Sequence, residues 1–313
     1  MGTMEDYEYN LVLMHNPGFQ HIGDFLTVQN MMVGLAPNIR VIIATFLQGD
    51  LRFYDNAQED VNSLPTLIFS PTPLSLPQNF RGTRLVTKPS SKKEEYDLLK
   101  AKGFPVPHST HLSKLSDLDS VDYGERFVIK PNKGKQGTDV ILVERATCKD
   151  VVRAKFGEND LDLIAQQWIN PGQTPTSYRV FTVLGEVIYC CRLQSPASDI
   201  EGSLKVSNFA PIAANSQTNR VMKCVIDTGA INLGERIHRS FPTMPVLGQD
   251  IVRDVDTDEL YVMELNSGGF TWHLSSNFGS GRRSEFKLDY YGQFHGLEKI
   301  TKSLARFTVE HAS

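Results

Sequence analysis

The stretch Leu247–Gly269 (LGQDIVRDVDTDELYVMELNSGG) constrains the fold of this chain most, because two β-rich segments there flank a run of turn formers and acids. Asp254–Glu259 reads as the turn of a hairpin whose strands are rich in Ile, Val, Leu and Tyr. Side chains alternate along a strand, so Glu264 and Asn266 share a face, and Asp250 can lie opposite them on the neighbouring strand. Two carboxylates and a carboxamide side by side suit magnesium, which prefers oxygen ligands and bridges to nucleotide phosphates. The segment alone reads equally as a solvated acidic hairpin.

At 313 residues the chain has room for two or three lobes with separate cores. Hydrophobic residues make up 40% and charged residues 22%, which places it among ordinary globular proteins. A net charge of -4 argues against nucleic acid or an anionic membrane as partner and favours a small molecule bound locally. The start, MGTMEDYEYN, lacks the basic and apolar regions of a secretory signal, and no apolar run is long enough to span a membrane. Cys148, Cys190, Cys191 and Cys224 show no CxxC spacing. A reduced, cytoplasmic protein is the expectation.

Residues 9–70 alternate apolar runs (Leu11–Met14, Val41–Phe46, Thr66–Phe69) with helical or polar connections, the rhythm of a small α/β lobe without a glycine fingerprint. The Pro-rich stretch Pro65–Pro89 reads as a crossing to the next lobe. Ser91 and Gly103 bracket a short helix that carries Lys92. Strands at Arg126–Lys130 and Asp139–Val143 flank the loop PNKGKQGT; a helix at Lys149–Phe156 and a strand at Leu161–Gln167 follow. Tyr178–Leu184 and Glu186–Leu193 form a hairpin turning at Leu184-Gly185, and a helix is expected from about Thr218 to Ser240. The tail from Ser280 is polar and resists assignment.

Four further segments carry chemistry. In FVIKPNKGKQGTDVILV, backbone N–H groups at Gly134 and Gly137 can approach phosphate oxygens while Lys130 supplies positive charge; the competing reading is a hairpin turn beside a solvated lysine. No GxxxxGK[ST] is present. Lys92 alone reads as an exposed lysine at a helix start. AQQWINPG ends a strand at Trp168 and Ile169, where backbone groups can meet an adenine edge and the indole its face, unless Trp168 is simply core. SYRVFTVLGEVIYCCR adds Arg179 and Arg192.

The order of these pieces (lysine helix, strand lysine with glycine loop, QQWI hinge, arginine hairpin, D-x13-E-x-N) resembles the ATP-grasp superfamily and, within it, the RimK-like carboxylate-amine ligases, over roughly residues 91–275. The resemblance implies an α/β protein with α+β lobes: a pre-ATP-grasp lobe at 1–90, a central lobe with the glycine loop at 91–173, and a C-terminal lobe with the metal site at 174–313, the last two sandwiching ATP. It implies nucleotide contacts from Lys92, Lys130, Gly134, Lys135, Gly137, Gln167, Trp168, Ile169 and Asn208, and metal contacts from Asp250, Glu264 and Asn266. The metal would be magnesium, two ions, with manganese as a substitute. Arg179, Arg192 and Lys130 would take the catalytic positions near the transferred phosphoryl group.

The implied reaction joins a small-molecule carboxylate, such as an amino acid or peptide, to an amine through an acyl phosphate, with ADP and phosphate as products; a homodimer is compatible with it. An ATP-grasp small-molecule kinase and a non-catalytic nucleotide-binding module are the alternatives. The chain departs from the RimK-like pattern at Ser177, where an acid is usual, and at Val206, where an arginine is usual and only Lys205 adjoins. It departs again at Ser267–His273, which replaces a small-Pro-Gly run. His273 is a candidate base or orienting group, and Arg282 and Arg283 are candidates for a substrate carboxylate or for surface charge.

Overall fold

The apolar runs near the start of the chain form a mostly parallel sheet. The structure, a computed structural model, describes residues 7–47, 50–54, 61, 63–74, 80–87, 90–134, 137–196, 200–212, 220–266, 274 and 276–313. Strands β1 (Tyr9–Met14), β2 (Ile39–Leu47), β3 (Asp50–Phe53), β4 (Thr66–Ser70) and β5 (Thr83–Val86) assemble in the order β3-β2-β1-β4-β5, with only β3 antiparallel. The Pro-rich stretch is thus less of a crossing than expected, since β4 and β5 both lie within it. Alternation divides the buried residues: Leu11, Leu13, Ile43, Leu67 and Phe69 face helix α1 (Gly23–Leu35), whereas Val12, Met14, Ile42, Ala44 and Ile68 face Val61 and Phe80.

The second sheet is antiparallel. It contains β6 (Ser109–Leu112), β7 (Arg126–Pro131), β8 (Ile141–Glu144) and β9 (Leu163–Gln167), and the later strand β12 (Phe209–Pro211) pairs with β8 to give the order β12-β8-β7-β9-β6. One face rests on α3 (Cys148–Phe156) through Phe127, Ile129, Val143 and Val152. The other presents Val128, Leu142 and Ala210, with Val140, Trp168 and Ile212 alongside.

The third sheet has the order β13-β11-β10-β14-β15, built from β10 (Thr176–Val183), β11 (Glu186–Gln194), β13 (Val221–Cys224), β14 (Val246–Arg253) and β15 (Leu260–Asn266). Leu184 and Gly185, at φ 49 and 86, make the two-residue turn between β10 and β11, a left-handed conformation that glycine adopts freely. The helix expected from about Thr218 to Ser240 is shorter: its described part contains β13, and then α5 (Thr228–Arg239) begins where the Asp227 side chain accepts from Ala230 N–H. The N-cap at Asp227 stops the helix from extending back into the apolar pair Val221-Met222. All four cysteines are free thiols.

The tail beyond Ser276 is helical, as α6 (Asn277–Phe286) and α7 (Gly296–His311). α7 buries Ile300 and Leu304 in the core shared by the first and third sheets, with Leu11, Phe69, Val183 and Tyr189. Asn277 N–H donates to Phe19 O at 3.0 Å, and Ser276 bridges to Gln20, so the start of α6 is tied to the loop that follows β1. Among the described residues no helix is long and apolar enough to cross a membrane.

Below α5 lies a buried polar knot. His238 Nδ1 is 2.7 Å from Thr182 Oγ1 and its Nε2 is 2.8 Å from Met244 O, while Gln249 Nε2 donates to Thr182 Oγ1 at 2.9 Å. Burial pushes the imidazole down to about 4 from an ordinary 6.5. Above about 6.5 the ring is neutral in folded and unfolded chains alike; below it, only the unfolded chain takes up the proton until about 4. Stability therefore falls as pH drops through that window, by up to about 3 kcal/mol from this residue. Urea unfolding between pH 7 and 4.5 should show a steeper loss for the wild type than for His238→Asn. Parallel slopes would remove the effect.

Candidate active site

A cavity of about 220 Å³ opens between the second and third sheets. Val128, Val140, Trp168, Ile169, Leu193 and Ile212 give it an apolar part, and Lys92, Lys130, Asp250 and Glu264 a charged one. Helix α2 (Lys92–Ala101) begins with a capping box in which Ser91 and Glu94 satisfy each other's backbone N–H groups. That fixed start aims Lys92: its Nζ lies 3.0 Å from Gly134 O and 3.2 Å from Glu264 Oε1.

β15 reaches the same point through an irregularity. Asp250 pairs with Glu264 but Ile251 pairs with Val262, leaving Met263 as one extra residue on β15. The bulge resets the alternation, so Met263 and Glu264 both line the cavity while Val262 and Leu265 enter the core under α5. Asp250 accepts two bonds from Arg179, Nε at 2.5 Å and Nη2 at 2.8 Å, and a third from Asn266 Nδ2 at 3.3 Å. Burial opposes the charge on Arg179, and the Asp250 carboxylate more than compensates, so the guanidinium is held protonated.

Lys130 is buried at 6% exposure, where its Nζ donates to Tyr96 OH at 2.5 Å and Gln166 Oε1 at 2.9 Å. Burial pulls the ammonium down to about 8, against the pull of Glu264 and Glu95. Tyr96 in turn donates to Met263 O, and Glu95 accepts from Leu265 N–H at 3.2 Å and from Ser90 Oγ at 2.8 Å. Two side chains of α2 thus clamp β15. Sequence reasoning missed both: it gave neither Tyr96 nor Glu95 a role, and an acid next to an aromatic in a short helix was the available signal.

Of the expected nucleotide residues, Lys92, Lys130, Gly134, Gly137, Trp168 and Ile169 line the cavity. Gly137 has φ 70, a left-handed turn suited to glycine. Gln167 does not reach it, because its Oε1 accepts from His108 N–H on the far edge; the preceding Gln166 faces inward instead. Asn208 follows helix α4 (Ile200–Ser207) and is absent from the cavity wall. Arg192 is also displaced: it pairs with Tyr178, one residue out of step with Cys191, which pairs with Arg179. A further bulge at β11, between Phe181 and Thr182 in the pairing, sits upstream. Lys135, His273 and the rest of Ser267–His273 lie outside the described residues.

The residues fit a magnesium nucleotide. Gln166 is 1% exposed and lines the cavity, yet its Nε2 has no partner among the described residues, which leaves a buried donor in want of an acceptor. No set of three or more histidine, cysteine or carboxylate side chains that could hold a metal occurs among the described residues; the group at hand is two carboxylates and a carboxamide, all hard oxygen donors.

No family model matches the sequence, and no curated protein matches it. Solved structures do resemble it. The ATP-grasp ligase PsnB complexed with minimal precursor, Mg and ADP is 12% identical, with 97% of this chain and 100% of that chain covered and a TM-score of 0.55. PsnB complexed with the precursor peptide PsnA2 and AMPPNP gives 13% identity, 97% and 99% coverage and a TM-score of 0.52. The D-cycloserine synthetase DcsG, at 13% identity, 94% and 99% coverage and a TM-score of 0.49, is too distant to carry weight. At such identities the likeness is one of architecture, and the architecture of this chain is the ATP-grasp fold.

Proposed function

We propose that the chain is an ATP-dependent carboxylate-amine ligase of the RimK-like kind. The observation that carries the reading is the placement of Lys92 3.2 Å from Glu264, with Asp250 paired opposite, in the charged part of a cavity whose other part is apolar. Bound MgATP would supply an electrophilic γ-phosphoryl group that turns the acid's carboxylate into an acyl phosphate, from which an amine displaces phosphate to leave an amide, ADP and phosphate.

The chain's own share is positioning and charge. Val128, Val140, Trp168, Ile169 and Ile212 would enclose the base, with the Gln166 Nε2 donor beside it. Lys92 and Lys130 would meet the phosphates, and Asp250, Glu264 and Asn266 would hold magnesium. Arg179 holds Asp250 in place through its bidentate contact. The glycine loop at Gly134–Gly137 would close over the site, since water would hydrolyse an activated acid. Gln167, Arg192 and Asn208 take no part in this proposal. In the same reading residues 91–173 and 174–313 close on the nucleotide, 1–90 helps hold the acid, and the protein works in the cytoplasm on an amino acid or peptide.

ADP release with magnesium and ATP should require both an acid and an amine, and mass measurement should show their condensation with loss of water. A product that gains phosphate from a single acceptor would replace the ligase with a kinase. A sharper check is Lys130→Met. A buried lysine with a depressed ammonium contributes little to folding, so the variant should stay folded while its ATP affinity falls about 10- to 100-fold, the worth of one charged hydrogen bond. Calorimetry showing unchanged ATP affinity would reduce the lysine to a packing residue.

A further inference from the structure

A second, smaller cavity of about 50 Å³ lies beyond the Arg179–Asp250 pair. Arg179, Arg220 and Arg282 line it together with Leu193, Met222 and Tyr290. Leu193 belongs to the walls of both cavities, and Arg179 faces the small one while its partner Asp250 faces the large one. The two cavities are therefore neighbours, joined at Leu193 and at the Arg179–Asp250 pair.

The cations of this cavity are held close together. Arg220 and Arg282 both lie over the ring of Phe286, each guanidinium 5.8 Å from its centroid, and Arg282 also lies 4.9 Å from the Phe278 centroid. Arg282 pairs with Glu285 at 3.1 Å, but that carboxylate is 55% exposed, so the pair is weak and open to exchange for another anion. Arg179 is spent on Asp250 through both of its bonds. Like charges gathered against one ring, with an apolar wall behind them, describe a seat for a planar anion such as a carboxylate, or for a phosphate.

That anion is not the group that reacts. A carboxylate awaiting phosphorylation must face Lys92, Lys130, Asp250 and Glu264, and none of these lines the small cavity. We propose that Arg220 and Arg282 bind a second, non-reacting anionic group of the acid substrate, so that the substrate is a diacid rather than a simple monocarboxylate. This rests on the ligase reading for the first group and on the arginine cavity for the second.

The test separates the two. Protein saturated with magnesium and a non-hydrolysable ATP analogue is titrated calorimetrically with succinate and glutarate, with butyrate and pentanoate as matched monoacids, and with 3-phosphonopropionate as the phosphate-like arm. The diacids or the phosphono acid should bind and the monoacids should not. Arg282→Met and Arg220→Met, each checked for folding by circular dichroism, should weaken that binding about tenfold or more, and Arg282→Lys should restore part of it. Which of the two anion types binds tighter identifies the second group as carboxylate or phosphate. Monoacids binding as well as the doubly anionic ligands, no binding of either the diacids or the phosphono acid, or affinity untouched in both methionine variants would overturn the inference. Arginine-dependent diacid binding without ADP release from ATP and any amine would keep the cavity and sink the ligase; equal ADP release with monoacids would do the reverse.

Discussion

Glu264→Gln should cut turnover by about 10²–10³-fold, some 3–4 kcal/mol of barrier, taking loss of one preorganised electrostatic group as the measure. The substitution keeps shape and hydrogen-bonding capacity and removes one negative charge at the point where Lys92 and Asp250 converge. It should do little to the fold. The Lys92–Glu264 pair is partly open to water, with 34% of the Glu264 side chain exposed, and such pairs contribute at most about 1 kcal/mol. Lys92 also keeps its bond to Gly134 O. The measurement is ADP release at saturating acid and amine, alongside the unfolding midpoint. Near-normal release by a folded variant would remove Glu264 from the metal set.

How far the sequence spoke for the site follows from the range of each signal. The acidic hairpin was legible because its cues are local: Asp254 N–H donates to Glu259 O at 2.8 Å, and Asp258 takes φ 60, so the turn sits where the acids and turn formers predict it. The helix start beside Lys92 was legible through the cap at Ser91, and the glycine loop through its flanking strands. Phase was not legible. Gln166 rather than Gln167 turns to the cavity, and Arg192 stands one residue out of step with Cys191, the partner of Arg179. In a strand one residue means the opposite face: β9 is regular, so only the position of the cavity separates Gln166 from Gln167, whereas the bulges in β11 and β15 shift the phase of Arg192 and Glu264 without marking the sequence.

Long-range partners were equally hidden. β12 leaves its neighbours in the chain to pair with β8, and α7 carries Ile300 and Leu304 back onto the first sheet, near strands formed some 230 to 290 residues earlier. The short apolar period of α7 is diluted by Thr301, Ser303 and Thr308 on its buried face, which is why the tail looked featureless. Arg179 shows the same limit in chemical form. The chain order suggested an arginine beside the phosphates, and only the pairing of β10 with β14 reveals that its partner is Asp250.

That partnership makes Asp250 unlike Glu264. Asp250→Asn keeps the size but leaves the Arg179 guanidinium, 18% exposed, without the carboxylate that holds its charge inside the protein. Breaking such a pair from one side typically costs 3–5 kcal/mol, and residual exposure puts this one near the lower figure, about 3 kcal/mol. For a chain of 313 residues the melting temperature should fall by roughly 4–6 °C. Loss of activity in Asp250→Asn alone would therefore mix a weakened fold with a lost metal ligand. The double variant Arg179→Met with Asp250→Leu separates them, because an apolar pair of similar volume is neutral or better in such a position. It should recover most of the lost melting temperature while ADP release stays as low as in the single variant. If the double variant regained turnover together with stability, Asp250 would be a structural counter-ion to Arg179 and the chemistry would have to rest on Glu264 and Asn266.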